Sequence, residues 1–295
     1  MNPPPDLVVM PNDGAYPYDR ITDYLDDRAI PYLILQEGIR FERAAGNLDG
    51  SSNAAAWAVW GNSSASYFRR QGAHPGRIHV TGSPRFDVLA NETGSTEAKA
   101  LADELSDGKP ILALLSNPID DLGFVTRSEK LALIRDLATA SAPMLVERDW
   151  HMVIKLHGRE SLEACSAAVG SAADGVPVSV VSDCPLYPLL GASRGALTFA
   201  SSVGLEALLA GVPLAVVELP KHGFVHDYVS SGAAAGIRLN RALDQQIASW
   251  LEGSESREKA VGRYLDENVA HAGVSAVQVA DLVQQLTHPP HKRSR

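Results

Sequence analysis

Short apolar runs alternate with stretches of helical periodicity along most of the chain. A first series of four apolar runs lies at residues 6–10, 32–36, 56–60 and 78–81. A second series of five lies at residues 111–115, 152–156, 176–181, 196–199 and 214–218. Strands of parallel sheets are apolar throughout because helices cover both faces. The pattern therefore predicts an α/β chain with two Rossmann-like open parallel sheets.

A polar stretch over residues 91–109, rich in turn-forming residues, separates the two series. We expect a linker there, with at most a short helix in its middle. The predicted domains are a first α/β domain at 1–90, a second α/β domain at 110–272, and a last helix with a basic tail at 273–295. Helices are predicted at 128–140, 160–169, 241–252, 256–271 and 273–286. Ligands of such sheets bind beyond the carboxyl ends of the strands, so the two domains are expected to face a cleft.

Charge and composition exclude several classes of partner. The chain of 295 residues carries 26 Lys and Arg against 35 Asp and Glu. Nucleic acid is excluded, since it requires clustered basic residues. The basic run at 291–295 is expected to be a solvated tail, and weak contact with an anionic membrane surface stays open.

The same composition bears on location and metal binding. No run reaches the roughly 20 apolar residues of a membrane helix, and the start lacks the features of a signal peptide. We expect a cytoplasmic protein, with the inner face of the membrane as an open alternative. Cys165 and Cys184 are expected to be reduced thiols. No His or Cys cluster has the spacing of metal ligands, so no metal and no cofactor are expected.

The most informative loop follows the apolar run at 196–199. Ser201, Ser202 and Gly204 lead into a helix, whose free N–H groups and positive dipole end suit a phosphate. Gly204 has no side chain, which would let a diphosphate approach the backbone. Glu206 is placed to accept hydrogen bonds from ribose hydroxyls. An ordinary Ser N-cap followed by an early Glu is an equally good interpretation of these residues.

Two further strand ends carry candidate chemistry. Lys155 is unusual within an apolar run unless its charge meets an anion or a carboxylate. His157 could donate to a phosphoryl oxygen or protonate a leaving group, although a lone His is often structural. Glu37, followed by Gly38, could be the general base for an acceptor hydroxyl, or an ordinary acid beside a turn. Further candidates for substrate binding at strand ends are Ser83, Arg85 and Ser116.

Several of these segments together resemble a known superfamily. They are Trp60-Gly61, Gly72, residues 78–87, Lys155 to His157, residues 186–190 and residues 201–207. They are similar to bacterial surface-polysaccharide transferases of the GT-B fold, which include capsule polysaccharide transferases, sialyl- and polysialyltransferases and CDP-glycerol glycerophosphotransferases. The UDP-N-acetylglucosamine 2-epimerases are structural relatives. The resemblance spans about residues 6 to 220 and is not specific for substrate.

The resemblance implies roles for individual residues. An acidic-Gly motif supplies the general base in that superfamily, and its place here is Glu37-Gly38. A His-Pro motif contacts the donor phosphate, which implies this role for His157, although Gly158 stands where the superfamily has proline. A Ser pair, here Ser201 and Ser202, holds that phosphate. Several more strand–helix units are also expected before residue 6, so the first domain is expected to be truncated, minimal or completed by a partner subunit.

The leading prediction is an inverting, metal-independent glycosyltransferase or glycerophosphotransferase of cell-surface polysaccharide synthesis. It would move a group from a nucleotide-activated sugar or CDP-glycerol to a glycan or lipid-linked acceptor. One alternative is a sugar-nucleotide 2-epimerase or hydrolase, which needs a second carboxylate besides Glu37. Another is a non-catalytic partner subunit that binds a nucleotide sugar.

Overall fold

The protein consists of two compact units. The computed structural model describes residues 3–39, 52–89, 96–170, 175–239, 242–252 and 255–288. Unit 1 comprises Met1–Val88 with Asp266–Arg295, and unit 2 is Leu89–Leu265. Each unit contains one parallel sheet, which confirms the predicted α/β class with two Rossmann-like sheets.

The elements alternate as the apolar pattern predicts. The strands are β1 (Val8–Met10), β2 (Tyr32–Leu35), β3 (Ala56–Val59), β4 (Ile78–Val80), β5 (Ile111–Leu115), β6 (His151–Lys155), β7 (Val178–Val181), β8 (Ser193–Thr198), β9 (Leu214–Val217) and β10 (Ala235–Ile237). The α-helices are α1 (Tyr18–Asp26), α2 (Asn62–Arg70), α3 (Pro84–Asp87), α4 (Thr96–Ser106), α5 (Arg127–Glu147), α6 (Leu162–Gly170), α7 (Leu186–Ala192), α8 (Val203–Leu209), α9 (Leu243–Leu251), α10 (Glu255–Asn268) and α11 (Ser275–Thr287). No described helix is both long and apolar enough to cross a membrane.

Unit 1 has a four-stranded sheet in the order β1-β2-β3-β4. Successive residues of β2 point to opposite faces, so Tyr32 and Ile34 belong to one hydrophobic cluster and Leu33 to another. Leu282 of α11 closes the second cluster. The last helix therefore covers one face of this sheet, and the contacts place it in unit 1, whereas the sequence pattern set residues 273–295 apart.

The chain before α11 packs closely against two strand ends of unit 1. The Ala270 amide donates to the Trp60 carbonyl at 2.7 Å. A Cβ at Gly61 would lie 2.5 Å from the Asn268 carbonyl carbon, and one at Gly82 would lie 2.1 Å from the Ala270 oxygen. Gly82 also has a φ of +74°. Glycine is therefore required at both positions by the approach of the C-terminal segment.

Unit 2 has a six-stranded sheet in the order β10-β9-β8-β5-β6-β7. All five residues of β5 are buried at its centre. Successive strands run outwards from β5 in one direction to β7, and from β8 in the other direction to β10. The strand order thus reverses between β5 and β8, and such a switch point is where open α/β sheets bind ligands.

Three elements of unit 2 extend or refine the sequence prediction. The polar stretch 96–106 forms α4, which packs on α7. β10, with the sequence Ala235-Gly236-Ile237, has a single large apolar side chain and so gives no apolar run. Helix α5 continues through Pro143 to Glu147, well past the predicted end at 140. It continues because Met144 and Leu145, beyond the proline, are buried in the core.

The first prediction concerns Asp87, whose carboxylate accepts from the amides of Gly273, Ser275 and Ala276 at 2.8–3.1 Å. Partial burial would raise the pKa of Asp87, but these amides outweigh it and hold the pKa below 3.8. We expect Asp87→Asn to lower the free energy of unfolding by about 1–2 kcal/mol at pH 7. The difference should persist above pH 3.8 and vanish as the pH falls through the lower folded value.

Urea unfolding across this pH range measures the effect. Asp281→Asn is the matched control, because Asp281 is exposed on α11. An unchanged stability of Asp87→Asn at pH 7 would contradict the capping role.

The second prediction concerns Gly204 in α8. A Cβ there would lie 2.9 Å from both Leu214 Cδ2 and the Tyr228 ring carbon Cζ. Although alanine is the better helix former, Gly204→Ala should destabilise unit 2 by about 1–3 kcal/mol, because overpacking of a buried contact prevails. Gly158→Ala is the control, since nothing lies within 4 Å of its Cβ position. Thermal unfolding of both variants checks this, and equal stability would show that the interior adapts to the methyl group.

Candidate functional site

Three loops of unit 2 meet at the switch point of its sheet. They follow the adjacent strands β8, β5 and β6. The Asn117 side-chain amide donates to the Ala200 carbonyl at 2.9 Å and joins the loops after β5 and β8. The Ser116 hydroxyl donates to Glu160 Oε1 at 2.7 Å and joins the loops after β5 and β6. Side-chain hydrogen bonds thus hold the three loops together at the carboxyl edge of the sheet.

A buried ion pair stabilises these loops. Lys130 Nζ of α5 lies 2.5 Å from Glu160 Oε1 and 2.8 Å from Asp120 Oδ1. The side chains of Lys130 and Glu160 are each 5% exposed. The other oxygen of Glu160 accepts from the His157 amide at 2.6 Å. Because Glu160 receives donors from three directions, it fixes where the His157 loop leaves the sheet.

Lys155, at the end of β6, has a charge that the described residues do not neutralise. Its Nζ makes one long contact, at 3.5 Å, with the Leu156 carbonyl. No ion pair joins Lys155 to a carboxylate within the described ranges. The sequence predicts that Lys155 meets either an anion or a carboxylate, and the described residues provide no such carboxylate. An anion remains as a partner for this ammonium group.

His157 follows in the same loop, with an exposed ring. Its Nδ1 accepts from the Arg159 amide at 3.2 Å, so the neutral ring carries its proton on Nε2. Burial first and Arg159 second lower the pKa of His157, with Lys155 and Lys130 adding to the effect and Glu160 opposing it. At neutral pH the ring is therefore uncharged and offers one N–H donor. This state suits a hydrogen bond to a phosphoryl oxygen better than proton donation.

Ser201 and Ser202 lie at the start of α8, as the sequence predicts. Both are half-buried, and Ser201 Oγ accepts from the Val203 amide at 3.3 Å. Ser202 occupies the N-cap position but makes no side-chain cap hydrogen bond. The N-cap interpretation requires the Ser202 hydroxyl to accept a hydrogen bond from the first turn of the helix, and it does not do so.

The other two residues of this loop are buried. Gly204 packs against the Tyr228 ring, so a side chain there would overpack the interior of unit 2, and the approach of a diphosphate to its backbone stays a prediction. Glu206 is 1% exposed, because the whole segment 204–208 faces inwards. Its contact with ribose stays a prediction.

Tyr228 supports the loop and is not signalled by the sequence pattern. Its hydroxyl donates to the carbonyls of Ser201 and Ser202 at 3.3 and 3.4 Å. Burial, together with the nearby Glu206 carboxylate, raises the pKa of Tyr228, so it stays protonated and able to donate. Its distance along the chain from the Ser pair explains why no local motif reveals it.

In unit 1, the predicted residues Glu37, Gly38 and Arg85 lie together. Glu37 is exposed after β2, and Arg85 Nη1 donates to its backbone oxygen at 3.2 Å. Gln36 Nε2 donates to the Gly38 carbonyl at 2.9 Å. Ser83, in contrast, is 4% exposed, and the glycine before it packs on the C-terminal segment. A substrate contact of Ser83 stays a prediction.

Comparison with known proteins finds similarity in structure alone. No family model and no curated protein sequence matches the chain. The structure of a putative UDP-N-acetylglucosamine 2-epimerase from Listeria monocytogenes matches with a TM-score of 0.68, covering 95% of this chain and 74% of that one at 16% identity. S. aureus MnaA matches at 0.70, with coverages of 98% and 76% and 14% identity. The wall teichoic acid polymerase TagF, as an H444N variant, matches at 0.64, with coverages of 96% and 74% and 16% identity.

Identities this low establish the fold and nothing finer. The matches include 2-epimerases, which the sequence analysis named as structural relatives of the transferases, and a wall teichoic acid polymerase. The parallel sheets of four and six strands agree with that fold. The chain thus has the GT-B-type fold of these UDP-N-acetylglucosamine 2-epimerase and TagF structures, which confirms the fold that the sequence resemblance implied.

Proposed function

We propose that the chain is an inverting, metal-independent transferase that acts on a nucleotide-activated donor. The donor is a nucleotide sugar or CDP-glycerol, and the acceptor is a hydroxyl of a glycan or lipid-linked molecule in cell-surface polysaccharide synthesis. The observation that carries this proposal is the unneutralised Lys155 ammonium beside the His157 N–H donor at the switch point of unit 2. Structures with the same fold contain UDP, UDP-GlcNAc or CDPG, which supports a nucleotide diphosphate ligand.

Unit 2 would hold the donor. Lys155 would pair with the diphosphate, and the hydroxyls of Ser201 and Ser202 would donate to its oxygens. His157 Nε2–H would donate to the oxygen on which negative charge develops as the nucleotide leaves. Donors fixed in place before the reaction stabilise such charge without reorganisation, and the Glu160 contact with the His157 amide supplies this fixation. Ser116 and Glu206 would complete the site.

Unit 1 would supply the general base. Glu37 is the exposed carboxylate in a loop whose backbone is held by hydrogen bonds from Arg85 and Gln36. In the proposed reaction it takes the proton of the acceptor hydroxyl as that oxygen attacks the donor. Gly38 and Arg85 would shape the loop around the acceptor.

A second candidate is an epimerase or hydrolase reaction on the same donor. It requires a second carboxylate near Glu37, and the loop after β1 contains one in Asp13, which is 5% exposed. Asn12, next to Asp13 in the chain, contacts Glu37 directly. The products formed from the donor without an acceptor separate this candidate from the transferase.

The third prediction is that nucleoside diphosphates stabilise the protein. In a thermal-shift screen of UDP, CDP, CMP, GDP and dTDP, we expect at least one diphosphate to raise the melting temperature. A nucleotide at a concentration one hundred times its dissociation constant raises the free energy of unfolding by ~2.7 kcal/mol. Lys155→Ala should weaken binding about 10- to 100-fold, since a charged hydrogen bond contributes about 1.5–3 kcal/mol.

Lys259→Ala is the control for this screen, because Lys259 forms an exposed pair with Glu255 on α10 of the same unit. Binding of every nucleotide by Lys155→Ala at the affinity of the unsubstituted protein would contradict the proposed phosphate site. The absence of any stabilisation by the five nucleotides would overturn donor binding altogether.

The fourth prediction is that Glu37→Gln strongly lowers the rate of turnover but preserves donor binding. Nucleotide release from UDP-GlcNAc and CDP-glycerol, with and without acceptor, should fall about 10²- to 10⁴-fold, because the general base is lost. Glu267→Gln, an exposed change elsewhere in unit 1, is the control. Full activity of Glu37→Gln would exclude Glu37 as the base. Formation of UDP with a 2-epimerised sugar in the absence of acceptor would establish the second candidate.

A further inference from the structure

Asn12 is a buried amide that contacts the Glu37 carboxylate. It lies in the loop after β1 and is 4% exposed. Its Nδ2 donates to Glu37 Oε1 at 2.9 Å, and its Oδ1 accepts from the Ala15 amide at 3.1 Å. A backbone N–H requires an acceptor, so the Ala15 contact settles which end of the amide carries the oxygen. The donor end of Asn12 therefore faces Glu37.

The backbone around Glu37 is fixed independently of Asn12. Arg85 holds the Glu37 carbonyl, and Gln36 holds that of Gly38. Gln36 is itself fixed, because its Oε1 accepts from the Trp60 amide at 2.9 Å and its Nε2 donates to Ser64 Oγ at 2.9 Å. These contacts place the Cα of Glu37 but leave its side-chain rotamer free. Among the described residues, Asn12 alone makes a side-chain hydrogen bond to the Glu37 carboxylate.

We propose that Asn12 is a positioning residue that selects the rotamer of Glu37 and directs its second oxygen, Oε2, to the acceptor. This inference rests on the proposed function, in which Glu37 is the general base. An exposed glutamate otherwise samples several rotamers, and restricting them costs conformational entropy. The hydrogen bond to Asn12 makes this restriction before the acceptor arrives.

This proposal gives the two carboxylate oxygens of Glu37 different roles. Oε1 is occupied by Asn12, and no described residue donates to Oε2. The acceptor O–H bond breaks towards Oε2, and the acceptor oxygen bonds to the transferred group. The bond from that group to the nucleotide phosphate breaks, and its electron pair leaves with the nucleotide. The loop after β1 thus sets the geometry of the residue that follows β2.

The fifth prediction uses Asn12→Asp, which keeps the size of the side chain and an acceptor for Ala15 but replaces the donor to Glu37 with an oxygen. Two carboxylates at this separation repel or share one proton. We expect kcat for nucleotide release from UDP-GlcNAc or CDP-glycerol to fall about 10- to 100-fold per folded molecule, with KM for the donor unchanged. Folding should also be destabilised, which circular dichroism and urea unfolding measure.

A paired substitution separates positioning from folding. In Asn12→Asp with Glu37→Gln, the Gln amide can donate to the Asp oxygen, so the hydrogen bond is restored with reversed polarity. We expect stability to recover towards that of the unsubstituted protein while turnover stays lost. Asn53→Asp is the matched control, because Asn53 Nδ2 donates to Asp26 Oδ2 at 3.0 Å in another amide–carboxylate pair of unit 1. It should change neither kcat nor KM.

The outcomes distinguish this inference from the proposed function. Asn12→Asp with an unchanged kcat per folded molecule, in an otherwise active protein, overturns the positioning role and leaves the function standing. An equal fall of kcat in Asn53→Asp also overturns it, because the effect is then not specific to Glu37. A protein that releases no nucleotide from either donor and gains no stability from UDP or CDP overturns the proposed function itself, and the role of Asn12 with it.

Discussion

The donor side of unit 2 depends on the buried ion pair between Lys130 and Glu160. Removing two charges from water is costly, so such a pair contributes little net stability, whereas leaving one partner alone costs about 3–5 kcal/mol. Here the remaining groups are satisfied, since Glu160 also accepts from Ser116 and from the His157 amide. The main effect of the ion pair is therefore to fix the positions of the groups around it. It holds a loop after β6, a hydroxyl after β5 and a helix in one arrangement that cannot relax without exposing a buried charge.

This arrangement explains how an acidic chain can leave one lysine at the switch point without a carboxylate partner. The net charge is −9, yet the carboxylates in the loops after β5 and β6 each lie near a cationic group. Asp120 and Glu160 are paired with Lys130, and Asp121 lies 3.5 Å from Arg159. Lys155 is left with only a carbonyl contact. Pairing within the loops thus leaves Lys155 as a cation without a carboxylate partner among the described residues, and the composition of the whole chain does not reveal this.

Unit 1 depends on a different constraint, which is the close approach of the C-terminal segment. Gly61 and Gly82 leave room for the backbone at residues 268–270, and Asp87 fixes the start of α11. Helix α11 then covers a sheet face that residues 1–88 would leave open. The ends of β3 and β4 are consequently occupied by protein. Of the strand-end loops in unit 1, those after β1 and β2 carry the exposed Glu37 and its amide partner.

The sequence by itself determined the alternation of strands and helices, because apolar runs and helical periodicity are local properties. It located β5 to the residue and most other strand ends within two residues, and it identified Glu37, Lys155, His157 and the Ser pair as strand-end residues. Only the tertiary structure decided which residues support them. Lys130, Tyr228 and Asn12 act across 25 or more residues of chain, and no local pattern records such contacts. The same holds for Gly204, whose missing side chain is explained by a distant ring, and for α11, whose unit is set by packing.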